Sequence, residues 1–81
     1  MKNSTFAVTS EFIDFLVQGP SYAQIIDFKV SSDVQARLET LLDMNREGVL
    51  SPQAQAELDA YEQVNHLMIL LKARARQALD A

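Results

Sequence analysis

The chain has no cysteine, a single histidine, and seven lysine and arginine residues against eleven acidic ones. Without cysteine it can form neither disulfides nor the thiolate zinc sites that stabilise many small domains. The net charge of −4 argues against general nucleic-acid binding, which needs a basic surface to neutralise phosphates. The N-terminal residues lack the apolar segment that is typical of a secretion signal. The longest purely apolar run, 67–71, is far too short to span a membrane. We therefore expect a cytoplasmic protein without membrane contact.

Hydrophobic residues make up 48% of the 81 positions, which is ample for a packed core. A chain of this length forms one domain, residues 1–81, and buries only about 60–65% of the surface that its unfolded form exposes. With disulfides and zinc excluded, association and good helix packing are the remaining ways to stabilise such a small fold. We therefore expect a homodimer.

Glycine and proline occur only twice each, and they divide the chain into helices. Gly19-Pro20 and Gly48 are typical helix ends, and proline at position 52 is typical of a first helical residue. Serines 10, 21, 32 and 51 can act as N-caps, and Ser21 and Ser32 are each followed three residues later by a glutamine that can complete a capping box. The sequence predicts an all-α protein with helices at 10–18, 22–28, 33–47 and 52–79, after a flexible lead-in at 1–9.

The last predicted helix is about twice as long as the helix before it, with which it should form an antiparallel hairpin. Its 28 residues would extend roughly 42 Å. It is apolar on more than one face near 67–71, so it must be covered on more than one side. The N-terminal helices, a second copy of the chain or a different protein could cover it. The candidate interface residues are Phe12, Phe15, Leu16, Tyr22, Ile26, Leu58, Tyr61, Val64, Leu67, Met68 and Leu71.

Three groups of residues fail as catalytic or metal sites. The segment 43–54 has the spacing of an EF-hand calcium loop, but Ala54 occupies the position that needs a bidentate glutamate. His66 has no second histidine, cysteine or evident nucleophile as a partner. Glu57, Asp59 and Glu62 are best interpreted as a solvated face on the first half of a helix. We expect no enzyme activity, no metal and no cofactor.

Lys72, Arg74 and Arg76 form the only basic cluster. They can compensate the negative end of the long helix, or they can contact DNA or an acidic partner. Arg74 and Arg76 lie two residues apart and do not share a helix face, which favours the first interpretation. A small DNA-associated transcriptional regulator that uses this basic helix end remains the alternative function.

The segments NREGVLSP (45–52), AELDAY (56–61) and HLMILLKARAR (66–76) resemble a family of small all-helical bacterial proteins that is abundant in cyanobacteria. The likeness covers roughly residues 19–79, and Gln53 and Ala54 depart from it where acidic residues are usual. Members are often encoded beside nuclease-like genes of HNH or PIN type. The resemblance implies an antitoxin-like or accessory protein whose partners are itself and a toxin or nuclease-like protein, which would be bound through helices and not by catalysis.

Overall fold

The computed structural model describes residues 6–81, which form four helices and no strand. We name them α1 (Ala7–Val17), α2 (Tyr22–Asp27), α3 (Ser32–Arg46) and α4 (Pro52–Asp80). The predicted all-α fold class is confirmed, and three of the four helices match their predicted bounds within one residue at each end. Of the predicted lead-in, residues 1–5 lie outside the described residues, whereas residues 7–9 belong to α1.

The start of α1 differs from the prediction. The helix begins at Ala7 and not after Ser10, so the predicted N-cap at Ser10 is wrong. The residue at the N-cap position is Phe6, whose backbone is extended and whose side chain cannot accept a hydrogen bond from the first turn. Phenylalanine gives no capping signal in a sequence, which explains why this start could not be recognised.

Side-chain caps begin the second and fourth helices as predicted. In α2, Ser21 N–H donates to Gln24 Oε1 at 2.8 Å and Gln24 N–H donates to Ser21 Oγ at 3.2 Å, which completes a capping box. In α4, Ser51 Oγ accepts a hydrogen bond from Ala54 N–H at 3.1 Å, and Pro52 occupies the first helical position. These caps satisfy backbone donors that otherwise lack a partner in the first turn.

The cap of α3 is Ser31 and not Ser32, so the predicted capping box of Ser32 with Gln35 is wrong. Ser31 Oγ accepts from Val34 N–H at 3.2 Å, while Ser32 is already helical. Ser31 is also held from outside the helix, because its N–H and its hydroxyl donate to the two carboxylate oxygens of Glu11 at 2.8 and 2.5 Å. This contact ties α1 to the start of α3 and selects one of two adjacent serines.

The chain leaves α3 through a left-handed glycine, as predicted. Gly48 has φ +72°, and its N–H donates to Asn45 O at 3.1 Å while Val49 N–H donates to Met44 O at 3.0 Å. These two bonds form a Schellman motif, which satisfies the last carbonyl groups of the helix. A residue with a Cβ atom would be strained at this φ value. The turn brings the chain back within three residues to the start of α4.

The longest helix, α4, is the element against which the others pack. Its 29 residues extend roughly 44 Å, which accounts for most of the 47 Å longest dimension of the protein. Within residues 6–81, every substantial helix–helix packing involves α4, and α2 packs against it most extensively. The radius of gyration is 14.5 Å, against about 12 Å for a compact domain of this length. The protein is therefore elongated along α4.

The hydrophobic core lies between α4 and one side of the other helices. Leu41 is completely buried. Outside the main cluster, Ile25 of α2 and Ala75 of α4 are also buried, so the N-terminal helices cover part of the long helix. The main cluster consists of Val8, Phe12, Val34, Leu41, Ala54, Leu58, Tyr61, Val64 and Met68.

We expect the two serines at the start of α3 to differ sharply in their contribution to stability. Ser31→Ala removes the N-cap and the contact with Glu11, so it should lower the free energy of unfolding by about 1–2 kcal/mol. Ser32→Ala is the matched control and should change it by less than about 0.5 kcal/mol. Urea unfolding followed by circular dichroism measures both, and equal losses, or a larger loss for Ser32→Ala, would contradict the observed cap.

Candidate functional site

The outward face of α4 carries a cluster of leucines. Leu67 and Leu70 are 50% and 51% exposed, and Leu71 beside them is half-buried. Their spacing of three and four residues places them on one side of the helix. Val64 and Met68, which adjoin this cluster around the helix, are turned toward the core and buried. Among residues 6–81 the long helix is thus packed on one side and open at this cluster. We call the cluster of Leu67, Leu70 and Leu71 the α4 ridge.

The structure divides the predicted interface residues into three groups by exposure. Five of them are buried in the core of the chain itself and cannot contact a partner: Phe12, Leu58, Tyr61, Val64 and Met68. The others are half-buried (Phe15, Ile26 and Leu71) or exposed (Leu16, Tyr22 and Leu67). The predicted set therefore mixes core residues with surface residues, and only the last two groups can form an interface.

Sequence reasoning missed part of the exposed apolar surface. Leu70 belongs to the α4 ridge, and Ile13 and Val17 lie exposed on α1 together with Leu16. The spacing of Ile13, Leu16 and Val17 places them on one side of α1, which we call the outer patch. Both helices are apolar around much of their circumference. A pattern of that kind does not indicate which side turns toward the core.

A groove of about 690 Å³ lies between α3, α4 and the connector at 28–30. Its polar border includes Lys29, Ser32, Gln35, Glu62, Asn65 and Lys72. Its apolar lining includes Val30, Leu38, Leu42, Leu58 and Met68. The sequence predicted close pairing of α3 with α4, but this opening separates the two helices along part of their length.

The three predicted basic residues have different environments. Lys72 is half-buried, and its Nζ donates to the carbonyl oxygen of Phe28 at 2.9 Å. Arg74 and Arg76 are exposed. The expectation that these cations compensate the negative end of the helix is wrong, because α4 continues to Asp80 and its last turn contains no basic residue. The dipole effect is confined to that last turn.

The connector near Lys72 is held from two sides. The rings of Phe28 and Phe15 lie 4.3 Å apart between centroids, at an interplanar angle of 32°. The carbonyl of Phe28 accepts the hydrogen bond from Lys72. Together these contacts join α1, the end of α2 and α4 at one end of the groove. The ammonium group of Lys72 therefore lies at this end of the groove.

Two contacts set the antiparallel register of α3 and α4. Arg37 forms a bidentate ion pair with Glu57, with Nε–Oε2 and Nη2–Oε1 distances of 2.9 Å each. The hydrogen bond from Arg37 holds the pKa of the Glu57 carboxyl below its ordinary value, against a smaller opposing effect of burial. One turn further along, Tyr61 Oη donates to Val34 O at 2.9 Å. Burial is the main reason that the pKa of Tyr61 is raised.

The predicted solvated face of acidic residues is only partly solvated. Glu57 forms an ion pair with Arg37. Asp59 is exposed and accepts a hydrogen bond from Gln55 Nε2 at 3.0 Å, and Glu62 is exposed at the border of the groove. The three side chains thus do not act together as one acid–base or metal-binding set.

The segment with calcium-loop spacing forms helix ends instead. Asp43 pairs with Arg46 within α3, and Gly48 forms the Schellman turn. Among residues 6–81 no group of three or more histidine or acidic side chains is arranged to hold a metal ion. His66 is exposed on α4. The residues with calcium-loop spacing are thus engaged in ending α3.

Comparison with known proteins adds no assignment. No protein-family model, curated protein or solved structure matches this chain significantly. The resemblance to a nuclease-associated bacterial family therefore stays a prediction. Within the part of the chain that the structure describes, no helix combines the length and the apolar character needed to cross a bilayer.

The ion pair between α3 and α4 should make stability depend on acidity. Because the folded-state pKa of Glu57 lies below its unfolded value of 4.5, the stabilisation is present above that value and is lost as the pH falls through the folded pKa. Glu57→Gln should lower the free energy of unfolding by about 0.5–1 kcal/mol at pH 7, since solvent screens the half-exposed Arg37.

The difference between the wild-type protein and Glu57→Gln should shrink below pH 4, as measured by urea unfolding across a pH series. Glu62→Gln, which removes an exposed carboxylate from the same helix, is the matched control and should show little difference at any pH. A Glu57→Gln deficit that stays constant down to pH 2.5 would mean that the ion pair is not its source.

Proposed function

We propose that this protein is a helical interaction module that works by binding another polypeptide and not by catalysis. The observation that carries the proposal is the α4 ridge, where Leu67 and Leu70 are half exposed although the adjoining face of the helix is packed. Clustered apolar side chains on the surface of a small protein are typical of a contact site. Covering the exposed halves of both leucines would contribute on the order of 2 kcal/mol.

In the free protein we propose that a second copy of the chain covers the ridge. Ala60, Leu67, Leu71 and Ala78 follow one another at intervals of seven, four and seven residues, and none of them is fully buried. This is the heptad spacing along which two helices pack side by side. A two-fold dimer requires a surface that is complementary to itself, and a short stripe of leucine and alanine meets that requirement.

For the functional partner we propose a basic, nuclease-like protein that this chain restrains as an antitoxin-like accessory protein. The net charge of −4 supports electrostatic attraction to a basic surface, which would speed encounter and make it sensitive to salt. The outer patch offers a second apolar contact next to the exposed carboxylate of Asp14. The resemblance to a nuclease-associated family supports the same class of partner.

DNA binding has weaker support. Lys72 is half-buried and lines the groove, and Arg74 and Arg76 lie on different sides of α4. A single cation on each side neutralises few phosphates, and the acidic chain repels the rest of the duplex.

The α4 ridge can be tested with Leu67→Ser and Leu70→Ser combined in one variant. Light scattering at increasing concentration should give about twice the monomer mass of 9.1 kDa for the wild-type protein and the monomer mass for the variant. We expect self-association to weaken by at least about a hundredfold, because two central leucines are lost. Co-expression with the product of the neighbouring gene tests the second step, with co-purification of the two proteins as the expected result.

Val49→Ser is the matched control, since Val49 is exposed in the loop before α4 and lies outside the ridge. It should associate like the wild-type protein. A wild-type protein that stays monomeric at millimolar concentration and does not co-purify with its neighbour would overturn the proposal. The same conclusion would follow if the double variant associated as strongly as Val49→Ser.

A further inference from the structure

The groove between α3 and α4 has the size of a small-molecule site. Its volume of about 690 Å³ falls within the usual range of roughly 300–1,000 Å³ for ligand pockets. On α4 its lining runs from Leu58 to Lys72, a rise of roughly 21 Å along the helix axis. The groove is therefore elongated along α4, and it suits an extended molecule better than a rounded one.

The charges along the groove are separated by sign. Lys72 and Lys29 lie at the end formed by the connector, next to Phe28. Within residues 6–81, Glu62 is the acidic residue that lines the groove. It precedes Lys72 by ten residues, which corresponds to roughly 15 Å along α4. A ligand with one negative group would thus place it at the lysine end, away from Glu62.

Lys72 is positioned to bind the negative group of a ligand. An ammonium group has three donors, and the carbonyl of Phe28 accepts a single bond from it. Two donors remain, while the contact with Phe28 keeps the half-buried group at the end of the groove. A carboxylate can accept both donors in charge-assisted hydrogen bonds, which are stronger than bonds between neutral groups.

The rest of the groove is lined mainly by aliphatic side chains. Leu38 and Leu42 of α3 contribute one wall, and Leu58 and Met68 of α4 contribute the other. Gln35 and Asn65 add neutral polar groups at the border. Leu58 and Met68 are already buried, but Leu42 is exposed and Leu38 is half-buried. An aliphatic chain in the groove would remove the exposed surface of these two leucines from water.

We propose that the groove binds an amphipathic carboxylate with an unbranched aliphatic chain, with its carboxylate on Lys72 and its chain extending toward Leu42 and Leu58. This site lies apart from the α4 ridge and does not depend on the proposed function. It gives the protein a small-molecule ligand in addition to its polypeptide partner. Binding would fill the opening between α3 and α4.

The test is a titration of the ¹⁵N-labelled full chain with sodium dodecanoate below its micelle concentration, followed by amide chemical shifts. Shifts should concentrate at Val30, Leu38, Leu42 and Lys72. Decanoate, which is two methylene groups shorter, should bind about tenfold more weakly. Dodecan-1-ol has the same chain without the charge and should also bind about tenfold more weakly, because it loses the charge-assisted bonds.

Variants distinguish the contribution of the ligand's carboxylate to binding from that of its aliphatic chain. Lys72→Met should weaken dodecanoate binding about tenfold and leave the binding of dodecan-1-ol unchanged. Arg74→Met removes an exposed cation of the same helix that does not line the groove, so it is the matched control and should leave both affinities unchanged. Leu42 is exposed enough to tolerate Leu42→Gln, which should weaken the binding of both dodecanoate and dodecan-1-ol. This variant tests the groove even if Lys72→Met unfolds the protein.

Three results would overturn the proposal. One is equal affinity of the wild-type protein for dodecanoate and dodecan-1-ol. Another is an equal effect of Lys72→Met and Arg74→Met. The third is a set of shifts confined to Leu67 and Leu70, which would place the aliphatic chain on the α4 ridge and leave the groove empty.

Discussion

The need to cover a 29-residue amphipathic helix governs the structure of this protein. All other helices pack against α4, and its buried residues extend from Ala54 to Ala75. No single short helix can cover a surface of that length, because α3 is only 15 residues long. The chain therefore covers α4 with several elements: α3 and the start of α1 lie beside its first half, and the end of α2 lies beside Lys72 in its second half. Among the residues that the structure describes, this arrangement leaves Leu67, Ile69 and Leu70 of α4 about half exposed.

Polar contacts between distant parts of the chain hold these parts in place. Glu11 accepts a hydrogen bond from Ser31, Arg37 forms an ion pair with Glu57, and Lys72 donates a hydrogen bond to the carbonyl of Phe28. Each contact joins residues at least twenty positions apart, and each is located where a helix begins, crosses another helix or ends. Such contacts add little energy individually when they are partly exposed. Their main effect is to fix register, so that the aliphatic side chains of α3 line a groove and do not close fully on α4.

Capping and helix-end residues that act over a few positions predict most of the helix bounds. The capping box of Ser21 with Gln24, the Ser51-Pro52 start and the Gly48 end each act within five residues, so the sequence alone revealed them. Of the adjacent serines 31 and 32, only Ser32 has a glutamine three residues later, so the local pattern favoured it. Ser31 is nevertheless the cap, and its backbone and hydroxyl are held by Glu11, twenty residues away. The start at Ala7 carries no capping side chain and was not recognisable for that reason.

The candidate surfaces were only partly predictable from the sequence, for the same physical reason. The stripe of Val64, Leu67 and Leu71 was visible as an apolar pattern, but its burial depends on how far the N-terminal helices reach around α4. In the structure Val64 is buried, Leu71 is intermediate in burial, and Leu67 is exposed over 50% of its surface. The groove could not be predicted at all, because it arises from the separation of two helices and not from any motif. Lys72 was recognised only as a member of a basic cluster, although its position depends on Phe28.

The central claim is that α4 is covered by its own chain on one side and open on the other. Solvent paramagnetic relaxation of methyl-labelled protein at low concentration, with a soluble gadolinium chelate, measures this most directly. We expect strong relaxation of the Leu67 and Leu70 methyl groups and protection of those of Val64 and Met68. Equal protection of all four residues in the monomer would contradict the open side, and equal relaxation of all four would contradict the covered side.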